Sequence, residues 1–184
     1  MTDRLLSPPL ALRPHALRAL DVWLFRRLGC GSTARPLTLA TAVWIAHWSW
    51  VPLVAALVVA LWRGPVATAP VLGALATATG LQVVTKRLAR RVAAPRPFAL
   101  GLCDNHLNHS MRGGMPSTHA AVMGALAGAL WPWMAMWPEL ALVPAIAALT
   151  AWARVHAGAH FPSDVLVGLA LGAALGRQAM AALG

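Results

Sequence analysis

Long uncharged stretches alternate with short polar ones along this chain, and the positions of the charges outline the elements. Leu37 to Trp62 carries no charge and predicts a membrane-crossing helix, with Pro52 placed to kink it. Arg63, Gly64 and Pro65 predict a tight turn. Val66 to about Leu88 predicts a second span that runs into the basic cluster Lys86, Arg87, Arg90 and Arg91. A polar loop bearing Gly and Pro follows, from about Ala93 to Pro116. Ser117 to about Trp137 predicts a third span, turned by Pro138 and Glu139. Leu140 to about Val155 predicts a fourth, and Pro162 to about Met180 a fifth, near whose end Arg177 is placed to snorkel. Ahead of these, Ala16 to Leu28 predicts a helix with Leu17, Leu20, Trp23, Leu24 and Leu28 on one side. Arg18, Arg26 and Arg27 fall largely elsewhere, the pattern of an interfacial helix and not of a span. The expected architecture is an all-α integral membrane bundle of five transmembrane helices plus an N-terminal amphipathic interfacial helix. It forms one domain, 1–184, with an interfacial N-terminal segment, 1–36.

Composition agrees with a bilayer. The 184 residues are 59% hydrophobic and 11% charged, where a soluble domain carries about 25% charged residues. A water-soluble fold of this size cannot hide so much apolar surface. Collagen, coiled coil and disorder are excluded by the lack of a triplet repeat, of heptads and of polarity. Cys30 and Cys103 are too few for a disulfide scaffold or a four-cysteine metal site, and are read as small apolar fillers. No signal peptide is expected in the first 36 residues, where Arg4, Arg13, Arg18, Arg26 and Arg27 interrupt every apolar stretch. The formal net charge of +10 must sit at the membrane interfaces or around a site for anions.

Five spans put the 93–116 loop and the 156–162 turn on the side of the N-terminus. His106, His109, His119, His156 and His160 lie there or at adjoining span ends, with Lys86, Arg90, Arg96, Arg112 and Arg154. Ionisable groups at span ends that face one cavity mark function by default. For Arg87, Arg91 and Arg112 the plainer reading is favoured, that of snorkelling side chains.

Three segments carry chemistry. In Ala94-Pro95-Arg96-Pro97-Phe98 the prolines stop the helix and fix the backbone around Arg96, whose planar fork suits an oxyanion. In Gly114-Met115-Pro116-Ser117-Thr118-His119 a span begins. Its first-turn N–H groups and the Ser117 hydroxyl make an anion site, beside which His119 can exchange a proton. In Arg154 to Asp164, Pro162 marks another helix start. His160 and Asp164 stand four apart, so Asp164 can accept from one imidazole nitrogen and leave the other unprotonated. Asp164 can equally be a helix-start charge favoured by the dipole. Together the segments describe phosphoryl transfer: arginines and helix N-termini hold a phosphate, one histidine attacks phosphorus and a second protonates the leaving oxygen. No metal cage is visible, because acidic ligands are nearly absent and no H-E-x-x-H pattern occurs.

These segments resemble the type-2 phosphatidic acid phosphatase (PAP2) superfamily. Its second motif, Pro-Ser-Gly-His, reads here Pro116-Ser117-Thr118-His119. Its third, Ser-Arg, five residues, His, three residues, Asp, reads Ala153-Arg154, five residues, His160, three residues, Asp164. The resemblance runs from about residue 37 to 176. It implies that Arg96, Ser117, Thr118 and Arg154 hold the phosphate, that His160 is the nucleophile oriented by Asp164, that His119 is the general acid, and that no cofactor or metal takes part. The first motif departs from the family. Seven residues before Arg96 stands Ala89 in place of lysine, with Lys86 and Arg90 as the nearby basic residues.

Pro95-Arg96-Pro97-Phe98, then Asn108-His109, then Pro-Ser-x-His looks like the bacitracin-resistance branch of undecaprenyl-pyrophosphate phosphatases. The substrate implied is undecaprenyl diphosphate, with phosphatidylglycerophosphate, phosphatidic acid and lipid A as alternatives. The partners implied are a polyprenyl diphosphate or other lipid phosphate and the bilayer, with no nucleic acid. The place implied is the bacterial cytoplasmic membrane, the site facing the periplasm. Charge counting points the other way. Six arginines from Arg4 to Arg35 share the site's face, while only Arg63 and Arg177 mark the other. A rival of another class is a non-catalytic anion-binding or transport protein. The strict Arg154–His160–Asp164 spacing argues against it, since binding alone needs no oriented nucleophile.

Overall fold

The computed structural model describes residues 15–31 and 35–182, with side chains from residue 18 onward. Among these residues the regular elements are helical: α1 (His15–Leu28), α2 (Pro36–Trp48), α3 (Trp50–Leu61), α4 (Pro65–Val92), α5 (Thr118–Leu130), α6 (Leu142–His156) and α7 (Pro162–Ala181). Short 3₁₀ turns at Phe98–Leu100, Trp131–Trp133 and Pro138–Ala141 join them.

Proline explains most helix starts. Pro36, Pro65 and Pro162 sit at the first position of α2, α4 and α7, where the missing N–H has no intrahelical partner to lose. The expected first span is a bent pair. α2 and α3 meet at 44°, and the break falls at Ser49 and not at Pro52. Proline cannot donate to the carbonyl four residues back, so the defect appears one turn before the ring. Pro70, in contrast, is accommodated inside a continuous α4. That helix ends on Ala93 in the left-handed region, φ 49°, and Pro95 forbids its resumption.

Three helical segments, Pro65–Val92, Pro138–His156 and Pro162–Ala181, are long and apolar enough to cross a membrane, and the bent pair makes a possible fourth. The third expected span is the exception. α5 has only 13 residues, about 20 Å of helix against about 30 Å of hydrocarbon, and continues only as the Trp131–Trp133 turn. It is the inner helix, packed against α4, α6 and α7. Leu37, Trp44, Val58, Val66, Leu72, Val84, Leu149 and Leu166 are exposed on the surrounding helices, an apolar outer surface suited to lipid.

α5 and α7 lie against each other along a seam of small residues. A Cβ added at Gly124 or Gly128 would land on backbone oxygens of α7, and one at Gly172 or Gly176 on those of α5. Such close approach needs glycine on both sides. The seam brings the start of α5 beside the start of α7, where the Ser117 N–H donates to the Asp164 carbonyl at 3.0 Å.

α1 turns one side to the bundle and leaves the other free. Asp21 and Phe25 are buried, while Leu20, Trp23 and Leu28 are exposed, and the Leu17 side chain lies outside the described residues. A carboxylate fixes the inward side: Asp21 Oδ1 accepts from the Ser163 N–H at 3.0 Å and Oδ2 from the Ser163 hydroxyl. Asp21 thereby caps α7 from another helix. Phe25 packs edge-on against Phe161 at 5.7 Å. His156 Nδ1 donates to the Leu28 carbonyl at 2.8 Å. At the opposite end of the bundle Arg63 grips Glu139 through Nε and Nη2 at 3.1 and 3.3 Å.

Candidate active site

The 93–117 and 157–161 loops come together at the end of the bundle where α5 and α7 begin. Arg96, which follows the end of α4, is buried at 9% exposure. Its backbone is tied to the returning loop by the Arg96 N–H to Met111 carbonyl bond at 3.1 Å, beside an isolated Pro95–Arg112 bridge. Its side chain then reaches the other loop. Nη1 donates to the Ala159 carbonyl at 2.7 Å and to His160 Nε2 at 3.2 Å, and Nη2 donates to the Gly113 carbonyl at 3.2 Å.

These partners decide the tautomer of His160. Nδ1 lies 2.8 Å from the Gly114 carbonyl, which can only accept, so Nδ1 carries the proton. Nε2 receives a hydrogen from Arg96 and therefore holds a lone pair. Burial holds the imidazole below its ordinary pKa despite the Asp164 charge, so the ring is neutral. The expected Asp164–His160 pair is in place, at a separation longer than a hydrogen bond. Asp164 Oδ2 stands 3.8 Å from Nδ1, acting on the ring through charge, and accepts instead from the Phe161 N–H at 2.9 Å. The i,i+4 spacing puts the two side chains together, but the turn before Pro162 points the ring at Gly114. Gly114 fits that place because a Cβ there would lie 3.2 Å from Asp164 Oδ2 and 3.4 Å from two backbone oxygens.

Arg154 approaches from the last turn of α6, 4% exposed. Its Nη2 donates to His119 Nδ1 at 3.0 Å and to His109 Nε2 at 2.8 Å. Nη2 has two hydrogens, and each goes to an imidazole lone pair. The Nε of both Arg96 and Arg154 is buried with no hydrogen-bond partner among the described residues. An unsatisfied buried N–H costs about 1–3 kcal/mol, so the two guanidiniums together favour an anionic acceptor. Burial also lowers the Arg96 pKa, offset in part by Asp164. Ser117, fully buried, accepts the Ala120 N–H at 3.5 Å as the cap of α5. Thr118 and His119 begin that helix, where backbone N–H groups have no intrahelical partner.

The expected residues thus divide. Arg96, Ser117, Thr118, His119, Arg154, His160 and Asp164 lie at these loops and helix starts. Lys86 and Arg90 are exposed along α4 and make none of the site's hydrogen bonds, while Thr85 and Ala89 take the inward positions. His156 turns to α1 and stacks on Trp152 at 5.2 Å. Sequence reasoning missed Gly113, Gly114 and Asp21 as site supports. The Gly-Gly pair just before Met-Pro-Ser was the available signal for the first two, and nothing local marks Asp21. Cys30 and Cys103 are free thiols near Gly158. No group of three His, Cys, Asp or Glu suited to a metal occurs among the described residues.

The fold and site define a helical membrane protein in which paired arginines and histidines gather at one end of the bundle. The family model of the PAP2 superfamily matches residues 67–183, and the chain belongs to that superfamily. Two solved structures share its fold. The crystal structure of Aquifex aeolicus LpxE superposes with a TM-score of 0.70 at 24% identity, covering 88% of this chain and 95% of that one. The transmembrane PAP2-type phosphatidylglycerolphosphate phosphatase from Bacillus subtilis superposes with a TM-score of 0.72 at 19% identity, covering 94% and 88%. No curated protein matches the sequence significantly.

Proposed function

We propose that the protein is a lipid-phosphate phosphatase of the bacterial cytoplasmic membrane. Its substrate is undecaprenyl diphosphate, cleaved to undecaprenyl phosphate and inorganic phosphate on the periplasmic face. The observation that carries this reading is the Arg96 Nη1 to His160 Nε2 contact at 3.2 Å. A phosphate oxygen that takes over this arginine hydrogen brings phosphorus up to a neutral imidazole lone pair. Nε2 then forms the N–P bond as the bond from phosphorus to the leaving oxygen breaks. The charge that develops on the ring is met by the Gly114 carbonyl at Nδ1 and by the Asp164 carboxylate. His119, exposed beside Arg154, protonates the leaving oxygen. It then deprotonates the water that attacks phosphorus, releasing phosphate and restoring His160.

The branch rests on the Pro95-Arg96-Pro97-Phe98 and Asn108-His109 segments. Phosphatases of phosphatidylglycerophosphate, phosphatidic acid or lipid A remain the alternative substrates, and an anion-binding protein the alternative class. Purified protein assayed on these lipids at equal concentration decides among them. The expected result is kcat/KM at least about tenfold higher on undecaprenyl diphosphate, with label from the terminal phosphate trapped on wild-type protein and absent from His160→Ala. Faster turnover of a monophosphate lipid reassigns the substrate. Phosphate binding without any hydrolysis would assign the anion-binding class.

A further inference from the structure

The loop that carries His109 is built to place it. Asn105 clamps its backbone at both ends: Nδ2 donates to the His109 carbonyl at 2.8 Å, and Oδ1 accepts the His109 N–H at 3.0 Å. The preceding Asn108 sits in the left-handed region at φ 52°, a conformation that asparagine tolerates better than most residues. The result delivers Nε2 to the same Arg154 nitrogen that holds His119.

From this juxtaposition we infer that His109 is a third phosphate-contacting histidine, which becomes cationic when the lipid phosphate engages Arg154. The inference rests on the phosphatase reading above and deepens it. As the protein stands, the Nη2 hydrogens of Arg154 are both accepted by imidazoles. A phosphate oxygen that takes this nitrogen displaces an imidazole from it. The displaced ring loses its donor and faces an anion, and both changes favour protonation. The position where the family motif has lysine is Ala89, buried beneath Gly113, so α4 contributes no inward cation there. A protonated His109 restores the missing charge from the loop that follows α4.

The groups facing His109 set its response to pH. Burial, then Arg154, Arg96, His160 and His47 hold it down to about 4. The phosphate is the anion that opposes the Arg154 and Arg96 charges, so binding should take up a proton and strengthen toward acid.

The test compares wild type with His109→Gln and His109→Lys. Lipid-phosphate hydrolysis is measured at pH 6 and pH 8, together with binding of inorganic phosphate read by thermal shift. Expected for His109→Gln is about a tenfold rise in KM and a matching loss of phosphate affinity at pH 6, smaller at pH 8, with kcat within about threefold. His109→Lys should restore affinity and abolish its pH dependence. Equal phosphate affinity in wild type and His109→Gln overturns the inference, as does failure of His109→Lys to rescue a well-folded protein. Active wild type with unaffected His109 variants refutes His109 alone. Wild type that neither hydrolyses lipid phosphates nor binds phosphate refutes the phosphatase reading as well.

Discussion

His160 Nδ1 donates to the Gly114 carbonyl at 2.8 Å. A backbone carbonyl cannot be protonated or lost by side-chain substitution, so the tautomer that leaves Nε2 free does not depend on Asp164. Asp164→Asn is therefore expected to lower kcat about ten- to a hundredfold through lost charge stabilisation. His160→Ala and His119→Ala should each cost at least about a hundredfold, roughly 3 kcal/mol of barrier. Single-turnover rates of the three variants check the order. An Asp164→Asn rate as low as that of His160→Ala would give Asp164 the orienting role.

Arg96 and Lys86 are expected to separate kinetically. Arg96 touches His160, while Lys86 is exposed on α4. Arg96→Ala should collapse kcat, whereas Lys86→Ala should raise KM modestly with little change in kcat. Steady-state kinetics on vesicle-borne substrate read the difference.

Acid should affect the protein in a defined window. His109 and His160 are held neutral by burial, so their folded pKa values lie below the ordinary 6.5. The folded state then binds fewer protons than the unfolded state on acidification. Stability from these groups is complete above about pH 6.5 and declines below it, through about 4 for His109. Melting temperature in detergent without phosphate should fall over that range, and less steeply in His109→Gln. The acid limb of kcat/KM should likewise lie below 6.5, because the proposed mechanism uses neutral His160 as the nucleophile. A limb at or above 6.5 contradicts the assignment.

Hydrolysis should persist in excess chelator. The groups placed to meet phosphate charge are Arg96, Arg154 and the helix starts, with five acidic residues in the whole chain. Abolition by EDTA and recovery with one divalent ion would refute this, once metal binding by the substrate itself is excluded.

Gly172→Val tests the helix seam. Its side chain would land on the Ala121 carbonyl of α5, an overpacking that costs about 1–3 kcal/mol. Thermal stability and activity should fall together, since the same seam positions Ser117 and His119 against Asp164.

Much of this protein is written locally. Uncharged runs mark where chain can meet lipid, prolines at 36, 65 and 162 start helices, and Ala93 to Pro95 ends α4. The Arg154–His160–Asp164 and Pro116–His119 spacings announce the site because each lies within one turn or helix end. What needed the tertiary structure is every contact that spans the chain. Arg96 meets His160 across 64 residues, Asp21 caps α7 across 142, and Arg154 gathers His109 and His119 from two other segments. Periodicity and caps report energies within a few residues, whereas these contacts depend on how closely two helices approach. That approach is set by the glycine seam, whose small apolar residues look like any other stretch of an apolar helix until both partners are placed face to face.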